Sequence, residues 1–324
     1  MADTSRVDGV TRYASKEVGV RFDLPQVQTV DLDGPVRYRE WPGPPGPTFV
    51  CVHGLGGTHL NWIAVAPALS RRGRVLAMDL AGFGYTPRDG RGAGMSANRR
   101  LLSRFIHELT EPPVIAVGNS MGGAMVVLQA ALEPSSVAGL VLTSPALPWT
   151  RRVRPERLIV AGFTFYRIPG LSDWVMRGRA ARWGADRVVQ EALKVCCVDP
   201  SRVDPAVIER QVEMTRFRQK DPDAVPAFLE AARSLMRLKD HPGYVRRVIE
   251  HVSCPVLLIH GARDRLVPIQ LARETVRGLP TWDLVELEDV GHVAHMEAPD
   301  LWIDAALRWM STALPAGVAG RPAV

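Results

Sequence analysis

Residues 114–123, which read VIAVGNSMGG, decide how the rest of this 324-residue chain is interpreted. Residues 114–117 are a short apolar, mostly β-branched run, which predicts a buried strand, and the residues after Gly123 favour a helix. Gly118 and Gly122 flank Ser120 two residues away on either side and permit a sharp turn there. Gly-x-Ser-x-Gly between a strand and a helix predicts a nucleophile elbow, which lifts the Ser120 hydroxyl out of the fold.

The bare pattern around Ser120 also has a simpler interpretation. The chain contains 28 glycines, so such a spacing arises by chance, and a serine that opens a helix commonly serves as its N-cap. The strand on one side and the helix on the other favour the nucleophile. A serine hydroxyl is inert at neutral pH without a base, so this hypothesis requires a histidine and a carboxylate elsewhere in the chain.

Composition predicts an ordinary globular protein, because 46% of the residues are hydrophobic and 23% are charged. The length suits one large domain with an insertion. No apolar run approaches the roughly 20 residues of a membrane span, and residues 1–17 lack the apolar core of a signal peptide. The four cysteines show neither metal-ligand spacing nor a secreted disulfide framework, so a cytoplasmic location is expected. The sequence assigns no function to the vicinal pair Cys196 and Cys197.

The net charge of +6 comes entirely from residues 151–250, which hold 20 Lys and Arg against 13 Asp and Glu. A solvated helical surface is one interpretation of this excess. The other is attraction to an acidic substrate or weak association with an anionic membrane surface. No nucleic-acid-binding motif accompanies the positive charge, so no nucleic-acid partner is expected.

The order of predicted elements indicates a mainly parallel sheet with helices on both faces. Strands are predicted at residues 27–31, 36–41, 48–52, 74–80, 114–117, 137–143, 256–260 and 282–287. Helices are predicted at residues 61–72, after a cap at Ser96, and at residues 124–132, 269–278 and 299–314.

Between these parts the alternation of strands and helices stops. Residues 147–242 contain helical stretches punctuated by prolines and no apolar strand, and we interpret them as a helical lid over the carboxyl edge of the sheet. The predicted division is therefore an N-terminal extension, a core in two pieces, a lid and a loose tail. Their bounds are residues 1–26, 27–146 with 243–314, 147–242 and 315–324.

The partners of Ser120 should lie in loops that follow strands and end at the same edge of the sheet. Asp264 follows the strand at residues 256–260, and His292 follows the last strand, directly after Gly291. The chain order Ser, Asp, His is the order expected when such an elbow works with a base and a carboxylate that orients it.

Other residues compete for these two positions. His295 is the serious rival of His292, which is nearer the strand end. Asp289 and Asp79 are alternative carboxylates, but Asp289 precedes a turn and Asp79 is expected to make a structural hydrogen bond. The loop after Thr143 contains no acid, which favours Asp264.

An acyl-transfer site also needs donors for a developing oxyanion. The backbone N–H of Met121, at the start of the helix after Ser120, is one candidate and is favoured by the helix dipole. The second candidate is the backbone N–H of Leu55, in the Gly-rich loop after the strand at residues 48–52. That loop is alternatively a tight turn and nothing more.

With these motifs, the chain from about residue 27 to residue 314 resembles the α/β-hydrolase fold superfamily, in its serine-nucleophile, esterase/lipase-like branch. The resemblance rests on five motifs: His53-Gly54-Leu55-Gly56-Gly57, Asp79-Leu80-Ala81-Gly82-Phe83-Gly84, Gly118-Asn119-Ser120-Met121-Gly122-Gly123, the Asp264 loop and Gly291-His292. It implies an eight-stranded, mostly parallel sheet, a lid after the sixth strand and no cofactor.

The function that we expect is cleavage of small-molecule carboxylic esters through an acyl-enzyme on Ser120. Asn119 is shared with carbon-carbon bond hydrolases that act on ring-fission diketones, which makes that activity the alternative. The chain departs from their Gly-Pro-Gly oxyanion loop and has no matching tryptophan after His292. A ligand receptor without catalytic turnover is a third hypothesis. The aromatic residues of the lid, Trp174 among them, are expected to form the core of its helices.

Overall fold

The computed structural model of the chain describes residues 5–7, 10–13, 24–147, 153, 156–279 and 281–314. Ten strands form one sheet: β1 (Ser5–Val7), β2 (Val10–Tyr13), β3 (Val27–Asp31), β4 (Pro35–Trp41), β5 (Phe49–Val52), β6 (Val75–Met78), β7 (Val114–Asn119), β8 (Val137–Thr143), β9 (Val256–Gly261) and β10 (Trp282–Leu287). The helices in these ranges are α1 (Ala66–Leu69), α2 (Met95–Leu109), α3 (Met121–Leu132), α4 (Arg157–Tyr166), α5 (Leu171–Arg182), α6 (Ala185–Cys196), α7 (Pro205–Arg218), α8 (Ala224–Lys239), α9 (Pro242–Glu250), α10 (Ile269–Gly278), α11 (Ala294–Glu297) and α12 (Pro299–Ala313).

The strand order is β1-β2-β10-β9-β8-β7-β5-β6-β4-β3. All neighbours from β6 across to β2 pair in parallel, whereas β4 is antiparallel to both β3 and β6. Strands β3 to β10 confirm the expected eight-stranded, mostly parallel sheet. The short strands β1 and β2 come from the predicted N-terminal extension and add to the edge at β10. The predicted tail at residues 315–324 lies outside the described residues.

The central strands bury side chains on both faces of the sheet. In β5, Val50 and Val52 join one hydrophobic cluster, which α2, α3, α8 and α9 complete. Phe49 and Cys51 join the other, which includes residues of α1, α6, α7 and α12. Because successive side chains of a strand point to opposite faces, a continuous apolar run is what a strand covered on both sides requires.

Two predictions about helices are wrong. The helix predicted at residues 61–72 is a 3-10 turn, His59–Trp62, followed by the single turn α1. Pro67 lies in the first turn of α1, because proline lacks an N–H and clashes with the preceding turn of a longer helix. Ser96 is not a cap, since α2 begins at Met95.

The start of α2 is instead capped by side chains of α8. The Gly94 backbone N–H donates to Glu230 Oε1 at 3.1 Å, and the Met95 N–H donates to Ser234 Oγ at 3.0 Å. Residues more than a hundred positions away thus satisfy donors that a local cap would otherwise serve. This tertiary contact leaves no local sequence signal.

Helices α4 to α9 lie between β8 and β9, where the sequence predicts helices. They contribute to both clusters: Ala227 and Leu235 of α8 join the first, and Val189 of α6 joins the second. Within the part of the chain that the structure describes, no helix combines the length and apolar character needed to cross a bilayer.

Candidate active site

Ser120 occupies a strained turn between β7 and α3. Its φ of 52° and ψ of −115° are outside the regions that non-glycine residues normally adopt. The turn is held at both ends, because the Ser120 N–H donates to Thr143 O at 3.0 Å and Ser120 O accepts from Ala146 N at 2.8 Å. The side chain is partly exposed at the head of α3, which matches the geometry of a nucleophile elbow.

The glycines that flank Ser120 are required by close packing. A Cβ at Gly122 would lie 2.2 Å from Val52 O, and one at Gly118 would lie 2.7 Å from Gly122 O. Backbone atoms cannot move away from such a contact. Only glycine at positions 118 and 122 therefore allows the ends of β5 and β7 to approach the start of α3 this closely.

His292 and Asp264 form a buried pair at the carboxyl edge of the sheet. His292 Nδ1 lies 2.7 Å from Asp264 Oδ2, across 28 residues of sequence. Asp264 follows β9 and His292 follows β10, which are parallel neighbours, so both loops leave the sheet at the same edge. A carboxylate at Nδ1 leaves Nε2 as the nitrogen that could take a proton from a nucleophile.

The Asp264 carboxylate is stabilised in its charged form. Its Oδ1 accepts from the backbone N–H groups of Leu266 at 2.8 Å and Val267 at 2.9 Å, and His260 Nε2 lies 3.4 Å from Oδ2. Burial acts to raise the pKa of Asp264, but His292 and His260 outweigh it and hold the pKa well below its usual range. A carboxylate that stays ionised can keep the imidazole oriented and stabilise its protonated form.

The main chain of the His292 loop is anchored to the helical segment between β8 and β9. The His292 N–H donates to Cys196 O, at the end of α6, at 2.6 Å. Glu297 is buried and accepts from Gly291 N at 2.7 Å through Oε2, and from Val198 N at 2.8 Å and Asp199 N at 2.9 Å through Oε1. These bonds fix the backbone around the imidazole.

Asn119 joins the elbow to the His292 loop. Its Nδ2 donates to Thr143 O at 3.1 Å and to His292 O at 3.2 Å, and the side chain is buried. The residue before Ser120 therefore touches the main chain of the candidate base. Among the described residues no hydrogen bond joins the Ser120 hydroxyl to His292, and the hydrogen bond from Asn119 is the link between the elbow and the His292 loop.

The two expected oxyanion donors flank the elbow. Met121 is the first residue of α3, where a helix leaves its N–H groups without an intrahelical acceptor. Leu55 lies in the loop after β5. A Cβ added to its neighbour Gly54 would lie 3.1 Å from Ser120 Cβ. The structure thus brings the Leu55 loop to Ser120, and neither N–H donates to another described residue.

The rival residues are engaged elsewhere. His295 is fully buried and stacks on Trp62 with 4.4 Å between ring centroids, and burial lowers its pKa to about 3. Asp79 accepts from His59 N, His59 Nδ1 and Tyr85 N, as expected of a structural carboxylate. Asp289 forms exposed ion pairs with two arginines.

Several residues around the site carry little or no signal in the sequence. Glu297 and the carbonyl of Cys196 act through contacts between distant segments, and His260, near the end of β9, contacts Asp264 in the loop that follows. A weak signal exists for Glu297, a carboxylate that follows His292 by five positions within a largely apolar stretch. Burial and the charges of Asp264 and Glu297 raise the pKa of the Cys196 thiol to about 12, so this sulfur is a poor nucleophile.

Helix α8 lies above the Leu55 loop. Phe228 Cε2 lies 3.2 Å from the position that a Cβ would take at Gly56. At the end of α8, Lys239 Nζ lies 5.9 Å from the ring centroid of Phe163. Burial lowers the pKa of Lys239 to about 8, although the negative charge of Asp264 acts to raise it. A lysine in electrostatic range of Asp264 was not anticipated from the sequence.

The described residues offer no cluster of three or more His, Cys, Asp and Glu side chains suited to a metal ion. A cavity of about 580 Å³ adjoins Asp264 on the side of Glu156 and Lys194. Ser120 does not line it, and its arginines are paired with Glu156 and Asp289. We therefore do not assign it as the substrate pocket.

A serine elbow on a mainly parallel sheet, with a His–Asp pair at the same edge, defines the class of α/β hydrolases. The chain belongs to the α/β-hydrolase fold family, whose pattern matches residues 47–299.

Known relatives are diverse in function. The chain is 26% identical over 309 residues to the dihydrolipoyllysine-residue acetyltransferase component of the acetoin cleaving system of Pseudomonas putida, with 92% of this chain and 74% of that protein covered. It is 26% identical over 302 residues to 2-hydroxy-6-oxo-6-(2'-aminophenyl)hexa-2,4-dienoic acid hydrolase of Metapseudomonas resinovorans, covering 92% and 95%. A thermophilic esterase from Thermogutta terrifontis shares the fold, with a TM-score of 0.66, 23% identity and coverage of 90% and 100%.

Proposed function

We propose that this protein is a serine hydrolase that cleaves small-molecule carboxylic esters through an acyl-enzyme on Ser120. The observation that carries the proposal is the combination of a strained, partly exposed Ser120 with the buried Asp264–His292 pair, which Asn119 links to the elbow. Each of these arrangements costs free energy or requires buried polar groups, and together they are typical of a nucleophile with its base.

In the proposed mechanism, His292 Nε2 takes the proton of Ser120 as Oγ attacks the ester carbonyl carbon. The N–H groups of Leu55 and Met121 stabilise the oxyanion of the tetrahedral intermediate. When that intermediate collapses, the bond to the alcohol oxygen breaks and His292 returns the proton to the leaving alcohol. His292 then activates a water molecule that attacks the acyl-enzyme and releases the acid.

We further propose that residues 147–242 act as a lid, with residues 27–146 and 243–314 as the catalytic core. Phe228 of α8 approaches the Leu55 loop, and Cys196 of α6 accepts from the His292 N–H, so this segment borders both sides of the site. The substrate would enter between these helices and the sheet edge. Four free thiols support the cytoplasmic location that is part of this proposal.

A panel of p-nitrophenyl acyl esters tests the esterase proposal. The Ser120→Ala protein should lose turnover, whereas a variant that hydrolyses as fast as the parent would overturn it. A fluorophosphonate probe should label the parent and not Ser120→Ala. Tight binding of a ligand by an unlabelled parent would favour a receptor without turnover.

Asp264→Asn tests the orienting carboxylate. The change keeps the size of the side chain but removes the charge that holds His292, and the corresponding loss in a related triad is about four orders of magnitude in kcat. Asp289→Asn is the matched control, because Asp289 is an exposed ion-pair partner. Equal activity in the two variants would contradict the assignment of Asp264.

Carbon-carbon bond hydrolysis is the second candidate, and two observations favour it. One is the similarity to the dienoic acid hydrolase of Metapseudomonas resinovorans. The other is Lys239 at the end of α8, whose Nζ lies 5.9 Å from the Phe163 ring centroid and whose charge interacts with that of Asp264 and could attract a substrate carboxylate. A ring-fission dienol that is consumed faster than any ester would favour this activity. Lys239→Met should then raise KM for the dienol and leave KM for a neutral ester unchanged.

A further inference from the structure

Helix α5 and the loop before it expose large apolar side chains. Trp174 is 72% exposed, Leu171 is 49% exposed and Ile168 is 46% exposed, and Val175 is exposed beside them. The sequence favoured a core position for Trp174, so its exposure corrects that expectation. A tryptophan this exposed is uncommon in a water-soluble surface and calls for a partner.

Leu171, Trp174 and Val175 occupy a single face of α5, and Ile168 precedes the helix. Positions 171, 174 and 175 are neighbours on a helical surface, because residues three and four apart lie together. Ser172, about 100° around the helix from Leu171, is buried and accepts from Arg233 of α8. At 100° per residue, Arg177 and Arg179 fall on the two flanks of the apolar face, so an apolar stripe runs between two cations.

The surroundings of this face carry a net positive charge. Residues 157–183 contain five arginines and one acidic residue, Asp173. Of the five, Arg167 is paired with Asp240. The charge of Asp173 is neutralised by Arg233 of α8, at 2.6 Å. Arg177 and Arg182 are exposed, so this part of the surface presents cations beside apolar groups.

We propose that α5 docks the protein onto an anionic lipid bilayer. Trp174, Leu171 and Val175 would enter the interface between headgroups and acyl chains, and the flanking arginines would contact anionic headgroups. A second copy of the chain is the poorer partner, because a twofold contact would bring the same cations face to face. The proposal goes beyond ester hydrolysis and does not depend on it.

The test is co-sedimentation of the protein with lipid vesicles at low salt. Vesicles of phosphatidylcholine with phosphatidylglycerol, mixed at about two to one, should bind at least about tenfold more protein than phosphatidylcholine alone. Added salt should weaken the binding by screening. The Ser120→Ala protein should bind equally well, which separates docking from catalysis.

Matched variants locate the surface. Trp174→Ser with Leu171→Ser should reduce vesicle binding by about tenfold or more, since two apolar side chains lose their burial. Leu132→Ser, at an exposed apolar residue of α3, should bind like the parent. Arg177→Gln should weaken binding roughly fivefold, whereas Arg246→Gln on the exposed face of α9 should not.

Three outcomes would overturn the proposal. The first is no preference for anionic vesicles at low salt, and the second is equal binding by the α5 variants and the parent. The third is a dimer in light scattering that Trp174→Ser abolishes while vesicles bind nothing, which would assign the face to a second copy. Far-ultraviolet circular dichroism and urea unfolding of the α5 variants should match the parent, which shows that they are folded.

Discussion

At the scale of single residues, the backbone of Ser120 holds a conformation that few non-glycine residues adopt. A φ of 52° with a ψ of −115° is accessible to glycine and costly for other residues. The protein retains a serine there, so the turn holds strain that a residue without a Cβ would release.

Ser120→Gly should therefore be more stable than Ser120→Ala. Both variants lack the hydroxyl and both should be inactive, but only glycine relieves the strain. The free energy of unfolding of Ser120→Gly should be higher by about 1 kcal/mol, after subtraction of the greater freedom of glycine in the unfolded chain. Urea unfolding followed by circular dichroism measures the difference. Equal free energies of unfolding would show that the turn is not strained.

His295 should contribute a pH dependence to stability. Its pKa in the folded protein is about 3, far below the usual value near 6.5, because it is buried without a hydrogen-bond partner among the described residues. As pH falls below about 6.5, the unfolded chain takes up a proton that the folded protein refuses. Stability from this residue is complete above that pH and decreases toward pH 3, by up to about 1.4 kcal/mol per pH unit.

His295→Phe should remove that component while keeping a ring stacked on Trp62. Free energies of unfolding at pH 7, 6 and 5 should fall less steeply in the variant than in the parent. Met296→Leu, a buried neighbour that does not titrate, should keep the slope of the parent. A slope that is unchanged in His295→Phe would contradict the burial of a neutral imidazole.

The candidate site shows how far single residues can be predicted from sequence. Ser120, Asp264 and His292 could be proposed because each follows a predicted strand, and the ends of parallel strands share one edge. His260 and Glu297 could not, since their contacts depend on how loops fold after the strands end. The same holds for Lys239, which is brought near Asp264 by the path of α8.

At the scale of elements, Glu297 connects α6 to the loop of the candidate base. One oxygen accepts from the two N–H groups after α6, and the other accepts from Gly291 N. Burial raises the pKa of Glu297, and the N–H donors act against that rise. A buried carboxylate with three donors is a positioning device for the segment that carries His292.

Glu297→Gln should lower kcat by about tenfold with little change in KM. The NH2 group of glutamine cannot accept a hydrogen bond, so at least one of these backbone N–H groups would lose its acceptor and the loop would be less firmly held. The free energy of unfolding should also fall, by about 1 to 3 kcal/mol. The rate should be measured as a function of pH, well below the unfolding temperature. Under those conditions the variant is folded, so a lower kcat reports displacement of His292 and not partial unfolding. Glu213→Gln, an exposed partner of Arg210, is the control and should match the parent.

Predicted elements failed where neighbours replaced local signals. The eight strands of the core were predictable because continuous apolar runs in β5, β7 and β9 reflect burial on both faces. The start of α2 was not, because Glu230 and Ser234 of α8 supply its caps. The helix predicted at residues 61–72 failed for a local reason instead, because Pro67 outweighs the apolar spacing on either side.

At the scale of the whole molecule, the helices between β8 and β9 are part of both hydrophobic clusters. Residues of α8 and α9 pack into one cluster and residues of α6 and α7 into the other. Core and helical segment therefore share their apolar burial and should not separate on unfolding.

We expect the protein to unfold in one cooperative transition. Far-ultraviolet circular dichroism, tryptophan fluorescence and ester hydrolysis should lose their native values at the same urea concentration. A first transition that removes activity while most helical signal remains would indicate that the helical segment melts independently.

The buried amide of Asn119 has a consequence for redesign of the enzyme. Both of its donor contacts are already committed to main-chain oxygens, those of Thr143 and His292. Altering this position to change selectivity would disturb the scaffold rather than the recognition of a new compound. If the helical segment covers the site as proposed, libraries aimed at new substrates should instead diversify Phe228 of α8, which approaches the Leu55 loop.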